Sequence, residues 1–355
     1  MERTPFDVVV SDLRMPGMNG VEFLKEVRER YPLSTRIIYS SYADQQVMLG
    51  GAGKAHQFLP KPCPTEWLRA ALQRTALIHS LLPDPIMRQK VAKMERVVSL
   101  PALYLQLVRQ IQSVETPIGA IAATVSEDLG MTAQILKIVN SAFFGLSTSS
   151  IAEAISHLGL ETLKYLVLAV GVFSQFESRK LGGLSLSTLW QHSTRTAHAA
   201  KLIAKSEGAA KNQVEDSFAG GLLHDLGKLL LASQYPELYE TVGRNAREKN
   251  AEWFVEERNI FGFDHAQVGS SLLGLWGLPL TVVEAVAYHH SPAKIGGRSF
   301  VPVAAVHAAN LLVQTQRLSH GGIPSPQLDR DYLANIGCAN ALDRWRAELD
   351  NAPAI

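Results

Sequence analysis

Two cysteines, Cys63 and Cys338, are all that 355 residues contain. They are too few and too far apart for a disulfide framework, which suits a reducing cytosol. Long apolar runs are also missing. The longest, residues 165–173, is too short to cross a bilayer and reads as a core helix, so no membrane partner is expected. Met1-Glu2-Arg3-Thr4-Pro5 lacks the apolar core of a signal peptide, and a cytoplasmic location is expected. Neither sign of charge is in excess. The formal net charge of +1 argues against a broad basic surface for nucleic acid, though not against a local patch. There is no basic run, no RNP-like aromatic string and no metal-finger Cys/His spacing, hence no DNA-binding motif. Internal repeats and low-complexity tracts are absent too.

What is present is core material. With 46% hydrophobic and 19% charged residues the chain is globular, and its length suits two domains. Near the N-terminus the apolar run Phe6-Asp7-Val8-Val9-Val10-Ser11 reads as a buried strand. The loop Asp12-Leu13-Arg14-Met15-Pro16-Gly17-Met18-Asn19-Gly20 follows it and presents a carboxylate. Two more short strands end in Ser40 (Arg36-Ile37-Ile38-Tyr39-Ser40) and in Lys61 (Ala55-His56-Gln57-Phe58-Leu59-Pro60-Lys61-Pro62). Amphipathic helical stretches lie at residues 21–29 and 67–82. Strands alternating with helices imply parallel βα units, whose carboxyl-end loops converge on one site. Asp12, Ser40 and Lys61 all lie at such ends. This suits phosphoryl transfer to a carboxylate, with Asp12 as nucleophile and the Ser40 hydroxyl and Lys61 ammonium holding phosphoryl oxygens.

The acceptor loop, the intervals of 28 and 49 residues from Asp12 to Ser40 and Lys61, and the Lys61-Pro62 pair resemble bacterial response-regulator receiver domains. The resemblance implies a partial flavodoxin-like α/β domain over residues 1–82, with Asp12 as phospho-acceptor. Ser40, Phe58 and Lys61 would be the switch residues, Phe58 packing differently in the two states. It also implies an upstream sensor histidine kinase if the receiver is complete. Such receivers begin with a strand, a helix and a second strand, and an acidic pair after the first strand binds Mg²⁺. Only eleven residues precede Asp12, and Glu2 and Asp7 are their only acids. A truncated receiver without its Mg²⁺ site is therefore expected, with an exposed sheet edge. Residues 2–6 read as the tail of a helix, so Met1 is expected to lie inside a longer natural protein. As written, the chain is expected to be phosphorylated poorly by a small phosphodonor with Mg²⁺.

Leu82-Pro83-Asp84-Pro85 breaks the pattern and opens a semi-rigid, helix-compatible linker, residues 83–96. Beyond it the apolar spacing is helical nearly throughout: residues 103–111, 118–129, 131–139, 151–172 and 197–204. Pro101, Pro117 and Pro279 fall near expected helix starts. An all-α domain is expected over residues 97–296. Residues 297–355 complete it with a long helix over 300–314, a loop at 321–326 and a tail helix or pair over 332–349, broken at Gly337.

Several strings there resemble the HDOD family of bacterial signalling proteins. They include Leu100-Pro101, Lys137-Ile138-Val139-Asn140-Ser141-Ala142-Phe143-Phe144-Gly145 and Ala154-Ile155-Ser156-His157-Leu158-Gly159. Further on come Gly220-Gly221-Leu222-Leu223-His224-Asp225-Leu226-Gly227-Lys228, Val268-Gly269-Ser270-Ser271-Leu272-Leu273, Trp276-Gly277-Leu278-Pro279 and Tyr288-His289-His290. HDOD domains are similar to the HD superfamily of metal-dependent phosphohydrolases, whose ligands are a His, a His-Asp pair and a distal Asp. The resemblance maps these onto His192, His224 and Asp225, with His265, His289 and His290 as the extra histidines of binuclear relatives. Imidazole and carboxylate suit a divalent transition metal such as Fe, Mn or Zn. Lys228 is placed to meet a phosphate. Two departures stand out. Asn310 occupies the place of the distal Asp, a neutral and weaker ligand. No Gly-Tyr-Pro string follows His289-His290, so the cyclic di-GMP phosphodiesterase activity of some relatives does not carry over. His157, His198 and His307, taken singly, read as buried histidines with satisfied hydrogen bonds.

The sequence thus reads as a cytosolic response regulator, an α/β receiver fragment followed by an all-α HDOD output domain. The output domain is expected to be largely non-catalytic and to bind a downstream signalling protein or a nucleotide. The alternative is a metal-dependent phosphohydrolase. Homodimerisation is left open.

Overall fold

The computed structural model describes residues 6–41, 55–94, 98–112, 116–141, 146–318 and 328–351. The expected helix tail at residues 2–5, the string Ala142-Phe143-Phe144-Gly145, residues 95–97 of the junction and the loop at 321–326 lie outside the described residues.

Three parallel strands form the N-terminal sheet in the order β1-β2-β3: Val8–Asp12, Thr35–Ser40 and Gln57–Pro60. Side-chain alternation sends neighbours on β2 to opposite faces. Ile38 joins Leu13, Val21, Leu24 and Val27 against the helix Gly20–Arg30. Ile37 joins Leu59 and Ala71 against the helix Thr65–Leu81. Each face is thereby covered, as parallel sheets require. The first helix starts where the acceptor loop ends. Asn19 caps it, its side chain accepting from Glu22 N at 2.9 Å while Glu22 Oε2 accepts from Asn19 N at 3.2 Å.

The helix Thr65–Leu81 serves both domains. Its far side packs on the helix His265–Leu275, where Ile78 lies against Gly274. After Pro83 a further helix, Pro85–Met94, buries Val91 and Met94 in the same core as Leu82, Leu107 and Leu273. The junction is a packed element and not a bare spacer.

The rest of the described chain is helical, from Ala102–Gln112 to Ala341–Asn351. Pro101, Pro117 and Pro279 stand immediately before helices. Residues 151–172, continuous in apolar spacing, form two helices, Ile151–Leu158 and Leu160–Phe173. They are separated by Gly159, whose φ of 85° no helix continues through. His157, read from sequence as a core histidine, is instead exposed on the last turn of the first of these helices. A helix C-terminus favours a basic group there, so solvent exposure costs it nothing. Leu160–Phe173 is buried along nearly its whole length, including Tyr165, Leu166, Val167 and Leu168. Among the described residues no single helix is long and apolar enough to cross a membrane. The tail is a helix pair, Arg330–Asn335 and Ala341–Asn351; the second packs on Leu186–Ser206 and buries Trp345 in the same cluster as Ile203 and Leu312.

Candidate metal centre and acceptor site

Asp12 ends β1 and pairs with the ammonium of Lys61, one residue beyond β3. Lys61 N donates to Ser40 O at 2.9 Å, which ties the end of β3 to the end of β2, where Ser40 is fully buried. The Lys61 hydrogen bond holds the Asp12 carboxyl below the ordinary carboxylate range, against a smaller opposing effect of desolvation. Phe58 is half-buried against the Val21, Leu24 and Ile38 cluster. The three polar residues therefore share the carboxyl end of the sheet. Asp7 lies elsewhere, with Oδ1 3.5 Å from Nδ1 of His79.

The second site is assembled from five helices and their ends. His192 is on Leu186–Ser206. His224 and Asp225 sit between Lys211–Leu223 and Leu226–Gln234. His265 begins His265–Leu275, and His289 and His290 follow Leu280–Tyr288. One close approach sets this layout. A Cβ on Gly227 would fall 2.0 Å from the backbone oxygen of His265, so only glycine lets these two helices meet there.

Hydrogen bonding fixes which ring nitrogens face inward. A carbonyl oxygen can only accept, so Nδ1 of His224 carries the proton it donates to Gly221 O at 2.8 Å. Nδ1 of His289 likewise donates to Val286 O at 2.7 Å. Nδ1 of His265 donates to the Glu257 carboxylate at 2.6 Å. The Nε2 atoms therefore converge. Nε2 of His265 lies 3.4 Å from Nε2 of His289, 3.0 Å from Nε2 of His290 and 3.2 Å from Oδ1 of Asp225. Nε2 of His224 lies 3.2 Å from Nε2 of His192, and Oδ2 of Asp225 is 3.5 and 3.7 Å from those two nitrogens. Lone pairs so arranged are compatible with a cation between them. Metal–nitrogen bonds of roughly 2.0–2.1 Å in a tetrahedral shell separate ligand atoms by about 3.3–3.4 Å. The residues fit a divalent transition metal in two triads, His265/His289/His290 and His192/His224/Asp225.

Burial keeps the imidazoles of His224, His289 and His290 below their ordinary pKa, in the neutral form that ligands require. His265 differs. Burial opposes its charge, but the Glu257 and Asp225 carboxylates on either side reverse the effect and push it up to about 9. Asp225 is buried, yet His224, Lys228 and His265 hold it well below the carboxylate range. The carboxylates of Glu257 and Asp225 thus favour a cation at His265, a proton or a metal ion.

A second layer holds the ligands. Glu257 is fully buried, accepts from His265 N at 2.8 Å and from the Tyr239 hydroxyl at 2.8 Å, and so fixes the ring of His265. His290 stacks on Phe254 with centroids 4.2 Å apart. His307 donates from Nδ1 to His289 O at 2.8 Å and accepts from Asp329 N at 3.0 Å, so both nitrogens are used, as a core histidine's should be. Two expected members are engaged otherwise. Lys228 donates to Oδ2 of Asp225 at 2.8 Å, and the amide oxygen of Asn310 accepts from Gln314 at 3.0 Å. Glu257 was not apparent from the sequence. Its signal there is faint: it lies one turn before Phe261, on the apolar side of its helix.

Residues 97–292, more than half of the chain, match the model of the HDOD domain, and residues 1–73 match that of the response regulator receiver domain. An uncharacterized protein of Treponema pallidum is 28% identical over 68% of this chain and 46% of its own length. The hydrogenase transcriptional regulatory protein HoxA of Cupriavidus necator is 32% identical over 31% of this chain and 28% of its own. The chain thus spans less than half the length of these relatives. The crystal structure of an HDOD domain protein with unknown function from Geobacter sulfurreducens superimposes with a TM-score of 0.56 at 24% identity. It covers 72% of this chain and 93% of that one, and shows the fold. With a parallel sheet carrying Asp12 and Lys61 at its N-terminus and a helical domain built around His224-Asp225, the chain belongs to the HDOD family and carries a response-regulator receiver domain ahead of its HDOD domain.

Proposed function

We propose that this signal-transduction regulator acts by contact and not by turnover. In this reading, where the receiver is complete and holds its Mg²⁺, Asp12 accepts a phosphoryl group from an upstream sensor histidine kinase, and Ser40, Phe58 and Lys61 register it. The HDOD domain then changes how it meets a downstream signalling protein or a nucleotide. One observation carries the reading: the receiver is bonded to the helix that begins with His265. Gln57, beside Phe58 on β3, donates to Gly274 O at 3.2 Å and is itself held by Arg74 at 2.8 Å. Gln267 donates to Leu81 O at 2.6 Å. A shift of β3 therefore pulls on the same helix that positions His265.

Burial supports a non-catalytic cluster. None of His192, His224, Asp225, His265 and His289 is more than 6% exposed. A catalytic metal keeps an open coordination position that substrate reaches, whereas a structural one is closed. The ion, Fe, Mn or Zn, would here hold helices together. The converging nitrogens favour a second reading, a metal-dependent phosphohydrolase, because a bound ion supplies a Lewis acid that ionises water.

Two measurements separate these readings. Hydrogen exchange in His265–Leu275 is compared with and without Mg²⁺ and a beryllofluoride mimic of aspartyl phosphate, in a chain extended by a receiver's first strand and acidic pair, with Asp12→Asn as control. A change of about fivefold or more, absent in the control, is expected for a coupled pair of sites. Equal rates in all samples would end the relay reading. Purified protein supplied with Mn²⁺ is expected to leave bis(p-nitrophenyl) phosphate uncleaved. Turnover that disappears in His224→Ala would establish the phosphohydrolase instead.

A further inference from the structure

The two triads share one carboxylate, but they are not equivalent. Asp225 turns Oδ1 toward His265, at 3.2 Å, and Oδ2 toward His192 and His224, at 3.7 and 3.5 Å. Behind His265 stands the buried carboxylate of Glu257, at 2.6 Å, while behind His224 stands only the neutral carbonyl of Gly221. A cation is already placed on the other half. Lys228 Nζ lies 2.8 Å from Oδ2, closer to it than either histidine nitrogen. The backbone brings it within reach, since Asp225 is the N-cap residue of the helix Leu226–Gln234 and Lys228 N donates to Asp225 O at 2.9 Å. Asn310 adds no charge, and its oxygen is taken by Gln314.

We propose that the cluster takes a single divalent transition-metal ion, held by His265, His289, His290 and Oδ1 of Asp225, while the Lys228 ammonium, bonded to Oδ2 of Asp225, supplies the positive charge on the His192/His224/Asp225 half. Two cations on one carboxylate oxygen repel, and an imidazole pair alone holds a dication weakly. The Glu257 carboxylate makes His265 the more basic ligand and balances charge on its own half. Lys228 is in this view a built-in substitute for a second metal and not a phosphate contact. The inference rests on the cluster being a metal site and goes beyond it by assigning stoichiometry and place.

The metal-stripped chain is titrated with Zn²⁺ and with Mn²⁺ by calorimetry, and bound metal is counted by mass spectrometry after gel filtration. The unmodified chain is expected to bind one ion. Lys228→Met is expected to bind two, and adding His192→Ala to Lys228→Met returns the count to one. Glu257→Gln is expected to weaken the single ion of the unmodified chain by about 10–100-fold. Lys228→Gln serves as the second variant, and far-ultraviolet circular dichroism shows that each protein is folded. Two ions on the unmodified chain, or no gain in either Lys228 variant, would overturn the asymmetry and leave the metal reading intact. No ion on any variant would overturn both.

Discussion

Glu257 and Lys228 decide what the histidine cluster can be. Glu257 receives three hydrogen bonds, from His265 Nδ1, His265 N and the Tyr239 hydroxyl, in a position without solvent. Its removal leaves a charged or donating imidazole, an amide and a phenol unpaired in the core. Breaking a buried pair by deleting one partner costs about 3–5 kcal/mol, because the remaining group keeps its desolvation penalty. Glu257→Ala is accordingly expected to lower the unfolding free energy of metal-stripped protein by about 3 kcal/mol or more, read from urea denaturation. A loss under about 1 kcal/mol would show that Glu257 does not hold His265. Lys228 acts with the opposite sign. At an effective dielectric of about 20, unit charges 4 Å apart interact by about 4 kcal/mol, so an ammonium and a dication at that separation repel by about 8 kcal/mol. That repulsion is the ground for expecting Lys228, more than the number of histidines, to set the metal count.

At the scale of elements, much of the fold could be read from residue pattern. Three apolar runs became β1, β2 and β3, and the loop ends carrying Asp12, Ser40 and Lys61 came together because parallel βα units leave them no other place. The helices of the second domain followed their apolar spacing, and the tail pair broke at Gly337 as its glycine suggested. Periodicity failed where it carries no phase information. Residues 151–172 keep helical spacing across Gly159, and only the backbone angle there shows the break. Burial of a histidine is equally invisible to spacing, which is how His157 came to be read as core. The residues that meet in the cluster were legible because their strings resemble those of the HD superfamily. Glu257 was not, since a lone glutamate on a helix reads as surface until the helix is docked. Nor could sequence show that Lys228 spends its charge on Asp225, because a lysine one turn from a carboxylate is equally free to point away.

At the scale of the molecule, the receiver shares a core with its neighbour. Among the described residues its own apolar clusters are small, each a handful of buried residues around Ile37 or Ile38. Its last helix and the junction, by contrast, contribute Leu81, Leu82, Val91 and Met94 to the large core of the HDOD domain. Gln57 and Gln267 add hydrogen bonds across the same boundary, the first of them between buried groups. Small domains bury too little surface to be stable alone, so the contact with the HDOD domain should carry a large share of the receiver's stability. The two parts are therefore expected to unfold together, as one transition in differential scanning calorimetry. Leu82→Ala removes a fully buried side chain at the boundary, a loss of about 2–5 kcal/mol with its cavity. Combined with Gln267→Ala it is expected to split that transition in two, the receiver melting first. Adding Gln57→Ala, which removes the remaining bond from β3 to Gly274, should abolish any response of His265–Leu275 to the state of Asp12. Two separate transitions in the unmodified chain would show that the boundary transmits little, and the relay would then need another route.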